Sequence, residues 1–196
     1  MKIDDIMWSD DAREELSIIS ERCSQFLEDT CGSPLLMNLS KKYGDFHKVK
    51  VRMRKNREDD TFSETFNVAF KDEAWNLRER AAFANGLESF EPADNDDLEP
   101  FYIFPIDGFR FMYSTEVENS GNDYKKVFDT ILEEFGADKG NEVLTDLLKF
   151  TYTSDNLYEG ITQGSEIIMF NLPYFYAIRQ STVEDYKKLL SSIDNL

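Results

Sequence analysis

The sequence predicts an α+β fold, in which several amphipathic helices pack on a small, mainly antiparallel sheet with a central β-hairpin. Apolar residues recur every three or four positions in several segments, which is the spacing of one helix face. Other segments alternate between apolar and charged residues, as half-buried strands do. An Asp107–Gly108 pair between two apolar runs signals a two-residue hairpin turn.

Length and composition favour one domain spanning residues 1–196. The chain is 41% hydrophobic and 14% aromatic, so it can bury a sizeable core. No apolar run approaches the roughly 20 residues of a membrane span. The N-terminal sequence MKIDDIMWSDD is too acidic for a signal peptide. Cys23 and Cys31 fit no metal-ligand spacing, so we expect free thiols in a cytosolic protein.

The first predicted helix runs from Asp10 to about Cys31, with Ser9 as its N-cap and Gly32 as its stop. Apolar and small residues form one stripe along it: Ala12, Leu16, Ile19, Cys23, Phe26 and Thr30. The spacing of this stripe predicts that one face of a single helix is buried.

Four further helices follow from the same periodicity. They are Ala74 to Asn85, Asp123 to Phe135, Asn141 to about Tyr152, and a C-terminal helix after a capping box of Ser181 and Glu184. In the third helix of the chain the predicted buried residues are Val127, Phe128, Ile131, Leu132 and Phe135. In the last helix they are Val183, Tyr186, Leu189 and Ile193.

The central hairpin is predicted in FYIFPIDGFRFMYS, because a type I′ turn at Asp107–Gly108 fixes the strand register. The turn sets three pairs of residues opposite each other, all on one face: Ile106 with Phe109, Phe104 with Phe111, and Tyr102 with Tyr113. We expect this face to be core, with an exposed partner-binding patch as the alternative. Pro105 predicts an edge or a bulge, because proline cannot donate to the ladder.

Two more strand regions and one loop complete the predicted layout. Residues 47–54 alternate in period two, and Glu166 to Phe170 with Tyr174 to Arg179 form a second strand pair. The sequence ESFEPADNDDLEP, from Glu88 to Pro100, is an exposed acidic loop with two prolines.

The formal net charge is −17, and one basic block interrupts the acidic chain. Residues 1–30 hold 9 acids and 3 bases (net −6), residues 31–55 hold 1 acid and 7 bases (net +6), and residues 56–100 hold 13 acids and 4 bases (net −9). A chain this acidic is a poor general nucleic-acid binder, since that binding depends on neutralising phosphates. The charge suits a basic partner protein instead, and Asp94, Asp96 and Asp97 are the candidate acidic surface.

The basic block supplies a second candidate surface. Lys48, Lys50, Arg52 and Arg54 project from one face of the predicted strand at steps of roughly 6.6 Å. Four cations in a row can hold an anionic ligand or an acidic partner. The alternative is that they neutralise the protein's own acids or keep an edge strand soluble.

No motif fixes a reaction, and we expect no cofactor and no metal. His47 is the single histidine and lies on the apolar side of its strand, which indicates a structural role. Asp94, Asp96 and Asp97 suggest a calcium loop, but the glycine at position six and the glutamate at position twelve are missing. No glycine-rich phosphate loop is present.

One segment resembles a family of enzymes. Gln163-Gly164-Ser165-Glu166 followed by IIMFNLPYFYAI is similar to the late strand of ADP-ribosyltransferases. The resemblance implies that Glu166 is catalytic and that Gln163 is the Gln or Glu that precedes it. It also implies that Ser114 begins the Ser-Thr-Ser element and that Arg52 or Arg54 is the early arginine. Two residues separate Gln163 from Glu166 where the family has one, and Glu116 replaces the last serine.

A second resemblance concerns most of the chain. The stretches DFHKVKVRMRK, FYIFPIDGFRFMYSTEV and LLKFTYT are similar to those of small acidic proteins of T4-type tailed phages, from about Met1 to Arg179. It implies a phage accessory or virion-associated protein, in the host cytoplasm or the virion, that binds a basic host or phage protein. Imitation of nucleic-acid charge is one form of such binding. A virion structural component and an ADP-ribosyltransferase-like enzyme stay open as alternatives.

Overall fold

The computed structural model describes residues 10–52, 61–114, 116, 120–183 and 185–196. Within them the fold is α+β, as predicted, with helices on an eight-stranded antiparallel sheet. The helices are α1 Asp10–Arg22, α2 Ser24–Asp29, α3 Thr61–Ala69, α4 Leu77–Arg80, α5 Ser120–Phe135, α6 Ala137–Thr151, α7 Leu157–Thr162 and α8 Tyr186–Asp194. The strands are β1 Leu35–Ser40, β2 Phe46–Lys50, β3 Ala82–Gly86, β4 Leu98–Pro105, β5 Arg110–Ser114, β6 Tyr152–Thr153, β7 Ile167–Phe170 and β8 Tyr174–Arg179.

The strand order across the sheet is β2-β8-β4-β1-β3-β7-β5-β6, and every pair of neighbours is antiparallel. Among the described residues β2 therefore forms one end of the sheet and the two-residue β6 forms the other. Sequence neighbours are seldom sheet neighbours in this order, so most strand pairs join distant parts of the chain.

Two buried clusters hold the layers together. The first joins α1, α2 and α8 to the sheet, and in it the Phe26 and Phe104 rings meet edge to face at 5.9 Å. The second joins α3, α5 and α6 to β5 and β7 through the rings of Phe66 and Phe128. Residues of β7 alternate between the two clusters, with Ile167 in the first and Ile168 in the second. At β7 the sheet is therefore covered on both faces.

The first predicted helix is in fact two helices, which meet at Cys23. The break is stable because Asp107, from a distant turn, caps α2: its carboxylate accepts from the Gln25 N–H at 2.9 Å and the Ser24 hydroxyl at 3.1 Å. The predicted stripe is buried on both sides of the break, from Leu16 to Thr30. Ser9 lies outside the described residues.

The predicted hairpin is wrong, although its turn exists. The Phe109 N–H donates to the Ile106 carbonyl at 3.2 Å, but only Gly108, at φ 87°, has a positive φ. A type I′ turn needs positive φ at both central residues, whereas positive φ at the second residue alone is typical of a type II turn, which splays the flanking strands. The splayed strands separate: β4 pairs with β1 and β8, and β5 pairs with β6 and β7.

The aromatic residues of this segment are nevertheless core, as expected. Tyr102, Phe104, Phe109 and Tyr113 are buried, and Ile106 and Phe111 are partly buried against the first cluster. Pro105, the last residue of β4, is paired with Phe175 of β8 on one side, while the pairing with β1 stops at Tyr102, so β4 has a local edge at Pro105, as predicted. A proline that ends a strand removes little from the ladder.

The helix predicted from Ala74 to Asn85 is also wrong. A helix of four residues, α4, is followed by β3, whose residues alternate between buried and half-buried. Ala82 and Ala84 favour a helix intrinsically, but β3 fills the gap between β1 and β7, and this tertiary pairing outweighs propensity. A side chain at Gly86 would lie 2.7 Å from the Ile161 carbonyl oxygen, so this crossing admits only glycine.

The remaining predictions are partly right. Strands β7 and β8 form, but β7 pairs with β3 and β5 while β8 pairs with β2 and β4, so they are not a pair. Helix α5 buries Phe128 but leaves Val127 42% exposed and Phe135 40% exposed. Helix α8 is capped by Asp185, which accepts from the Lys187 N–H at 3.0 Å, instead of by Ser181; Glu184 lies outside the described residues.

Candidate functional site

The basic strand forms the end of the sheet. Lys48, Lys50 and Arg52 are exposed, and Arg54 lies outside the described residues. Lys48 is opposite Tyr176 and Lys50 is opposite Tyr174 in the β2–β8 register, so the four side chains share a face. The Lys48 ammonium lies 3.6 Å from the centroid of the Tyr174 ring, a cation–π contact that holds it in place. Of the four predicted cations, Lys48 and Lys50 share this exposed face of β2, which adjoins an aromatic pair.

The tyrosines beside these lysines form part of a packed ring cluster. The centroids of the Tyr174 and Tyr176 rings are 5.7 Å apart, and the Phe46 ring stacks on Tyr176 with centroids 5.5 Å apart. Burial raises the pKa of Tyr176, and the neighbouring Tyr174 raises it further, while the charge of Arg22 acts in the opposite direction. Tyr176 is therefore a neutral hydroxyl at physiological pH, and the charge on this face comes from the lysines.

His47 lies on the opposite face of β2. Its ring packs against Tyr43 with centroids 4.4 Å apart. The side chain is half-buried beside Val49, which is in the first cluster. This placement agrees with the structural role that its position in the sequence indicates.

The predicted acidic segment divides into a loop and a strand. Residues 98–100 begin β4, and residues 87–97 connect β3 to β4; we call residues 87–97 the acidic loop. Its five carboxylates are exposed and form no ion pair within the described part of the chain: Glu88, Glu91, Asp94, Asp96 and Asp97. Glu99, in the strand, forms a salt bridge with Arg179 instead.

The backbone of the acidic loop is fixed by side chains. The Asn38 amide of β1 donates to the Glu91 carbonyl at 3.0 Å and accepts from the Ala93 N–H at 3.2 Å. Asn95 closes a turn by accepting from the Asp97 N–H at 2.9 Å. The Asp97 carbonyl accepts from the Lys41 N–H at 2.9 Å. These bonds anchor the loop at three points, so the carboxylates are presented from an ordered backbone.

The residues implied by the transferase resemblance are only partly brought together. Ser114 is buried, and its hydroxyl accepts from the Glu116 N–H at 3.2 Å. The β5–β7 register, continued by two residues, would set Ser114 opposite Glu166. Gln163 lies beyond the end of α7 and donates to the Glu159 carboxylate at 2.9 Å.

Glu166 lies beside a guanidinium. Its carboxylate lies 4.0 Å from the Arg78 guanidinium, and both side chains are 17% exposed. Arg78 in turn lies over the Phe83 ring at 4.6 Å and over the Phe62 ring at 5.2 Å. Arg52, offered as the family's early arginine, lies two residues beyond β2, the strand at the other end of the sheet. The arrangement of Arg78 and Glu166 resembles a stabilising ion pair within an aromatic enclosure.

A groove beside the end of β2 was not predicted from the sequence. It has a volume of about 520 Å³ and is lined by Val51, the loop between β7 and β8, and residues around Trp75 and Arg80. Trp75 is 67% exposed, and the Arg80 guanidinium lies 4.4 Å from its ring centroid. The groove could not be found by pattern, because three separate segments form it. The signal available in the sequence was Trp75, which lies five residues before Arg80.

Neither the grouping of metal-ligating side chains, nor the helices, nor the comparison with known proteins assigns a function to the chain. Within the described ranges, no three His, Cys, Asp or Glu side chains are grouped so that they could hold a metal ion. The described helices include none that is both long enough and apolar enough to cross a membrane. Comparison with protein-family models, with curated proteins and with solved structures finds no match.

Proposed function

We propose that this chain is a non-enzymatic interaction protein whose acidic loop binds a basic surface on a partner protein. The observation that carries the proposal is the combination of exposed carboxylates, which form no ion pair in the described part of the chain, with an anchored backbone. Asn38 fixes the middle of the loop through two hydrogen bonds, and five carboxylates around it lack an ion-pair partner within the described residues.

This arrangement suits binding for two physical reasons. A group of like charges on one surface raises the rate at which an oppositely charged partner is encountered. A backbone that is already ordered loses little conformational entropy when it binds, so more of the electrostatic attraction appears as affinity. The resemblance to proteins of T4-type phages makes a basic host or phage protein the expected partner, met in the host cytoplasm or the virion.

Affinity capture with matched variants tests the proposal. The wild-type protein, a variant carrying Asp94→Asn, Asp96→Asn and Asp97→Asn, and a control carrying Glu133→Gln, Asp138→Asn and Glu142→Gln are used as baits in cell extract. Both variants lose three negative charges, but the control loses them from exposed positions on α5 and α6. We expect the wild type and the control to recover the same basic protein, and the loop variant to recover much less. Equal recovery by all three would contradict the proposal.

Competition with nucleic acid tests whether the loop imitates phosphate charge. If the captured partner also binds DNA or RNA, the loop and the nucleic acid should displace each other from it. We expect that the loop variant no longer displaces the nucleic acid from the partner and that the control variant still does. A partner that binds both ligands at once would exclude charge mimicry and leave the acidic interface.

A further inference from the structure

Strand β2 leaves one edge unpaired among the described residues. Two hydrogen bonds fix its orientation: the Arg179 N–H donates to the Asp45 carbonyl at 2.8 Å, and the Val51 N–H donates to the Pro173 carbonyl at 3.1 Å. Bonded positions alternate in an antiparallel pair, so the odd-numbered residues of the strand face β8. The backbone groups of three residues therefore point to the free edge: Phe46, Lys48 and Lys50.

The side chains at this edge carry the charge that selects a partner strand. Lys48 and Lys50 are exposed, and Arg52 follows in the same direction. None of the three forms an ion pair within the described residues. Lysines at an edge repel a second strand of the same kind, and the same lysines attract a strand that has acids directly opposite.

We propose that the free edge of β2 binds an extended acidic peptide as an additional antiparallel strand. The proposal is separate from the acidic loop, which carries the opposite charge and belongs to another part of the sheet. Opposite residues of an antiparallel pair share a face, so the geometry dictates the peptide's pattern. Read from its N-terminal side, the peptide has an acid at its first position, opposite Lys50, and an acid at its third, opposite Lys48. Its fifth residue, opposite Phe46, is apolar, and the second and fourth residues are unrestricted.

A synthetic probe tests the backbone pairing directly. The probe is a fluorescent peptide whose central residues are Glu-Val-Glu-Val-Phe, and its binding is followed by anisotropy. N-methylation of the second glutamate removes the N–H that faces the Lys48 carbonyl, and we expect the affinity to fall by roughly fivefold or more, as for a lost hydrogen bond. N-methylation of the first valine, whose N–H faces away, is the matched control and should leave the affinity unchanged.

Two substitutions in the protein separate charge from pairing. Lys48→Pro and Lys48→Gln remove the same charge, but only proline removes the N–H on the free edge. Proline is tolerated where a strand's N–H faces solvent, so both variants should keep the melting temperature within a few degrees. We expect Lys48→Gln to weaken binding of the probe and Lys48→Pro to weaken it much further. Hydrogen exchange gives a second readout: the Lys50 amide should become protected when the probe binds to the wild type.

Five results would overturn the proposal. If both N-methylated probes bind equally, or if the proline and glutamine variants bind equally, the attraction is charge alone and no strand is added. If a short oligothymidine displaces the probe and binds Lys48→Pro as well as Lys48→Gln, the surface is a nucleic-acid site. If the chain dimerises without the probe and Lys48→Pro abolishes the dimer, the occupant is a second copy. Unchanged exchange at Lys50 would also exclude an added strand.

Discussion

Replacing Asp107 with alanine removes the cap of α2, a helix of only six residues. The carboxylate accepts two hydrogen bonds, from the Gln25 N–H and the Ser24 hydroxyl, at 2.9 and 3.1 Å. Without it the Gln25 N–H loses its acceptor, and the turn at Asp107 loses part of its attachment to the helix. The Asp107 N–H bond to the Arg22 carbonyl, at 2.7 Å, is a backbone contact and can persist in the variant.

The expected loss of stability is about 1–2 kcal/mol. Replacing an N-cap by alanine costs about 0.5–2 kcal/mol, and an acid at a helix N-terminus contributes about 0.3–1 kcal/mol. Asp107 is exposed, so the electrostatic part is expected near its lower limit. For a chain of this length, such a loss lowers the melting temperature by about 2–8 °C.

Thermal and urea unfolding, followed by circular dichroism, measure the effect. Asp107→Asn keeps an oxygen acceptor and should lose less than the alanine variant. Asp96→Ala, which removes an exposed carboxylate without a side-chain hydrogen bond, is the control and should change stability by less than about 0.5 kcal/mol. If Asp107→Ala and Asp96→Ala unfold at the same temperature, Asp107 does not cap α2, and the explanation of the helix break fails.

Three further predictions concern packing, reactivity and catalysis. Gly160→Ala should destabilise the fold by about 1–3 kcal/mol through overpacking, because the new Cβ would lie 2.7 Å from the Tyr113 ring; an unchanged urea midpoint would contradict this. Burial raises the pKa of the Cys23 thiol to about 12 from its ordinary 9.0, so mass spectrometry should find iodoacetamide only on Cys31 in the folded protein at mildly alkaline pH. The folded state holds the Cys23 proton more tightly than the unfolded state does, so the contribution of this thiol to stability should decline as the pH rises from 9 towards 12. Equal labelling of both thiols would show that Cys23 is accessible. The wild type should release no nicotinamide from NAD; release that Glu166→Gln abolishes in a folded variant would establish the transferase.

Local patterns predict the elements of this fold that depend on local physics. The periodicity of Leu16, Ile19, Phe128 and Leu189 identifies helices, because each buried face is a property of one segment. Strand partners are a different matter, since they depend on contacts between distant residues. Asp107–Gly108 has the composition of a hairpin turn, but its carboxylate caps a helix that lies 82 and 83 residues earlier in the chain.

The candidate surfaces show the same division. Alternation alone predicts that Lys48 and Lys50 share an exposed face, and composition alone predicts an exposed loop at Asp94 and Asp96. No pattern in the sequence predicts that Asn38 anchors that loop, because the contact joins residues 53 and 55 positions apart. The free edge of β2 follows from the strand order of the whole sheet.

Steering by the acidic loop is tested most directly by the salt dependence of association with the captured partner. Exposed charges are screened beyond about 8–10 Å at physiological salt. Stopped-flow measurements should therefore give a wild-type association rate that falls steeply as salt rises, with a nearly constant dissociation rate. The variant carrying Asp94→Asn, Asp96→Asn and Asp97→Asn should associate more slowly and with a shallower dependence, while the control on α5 and α6 should follow the wild type. An association rate that is independent of salt and equal in all three proteins would show that the loop carboxylates do not attract the partner.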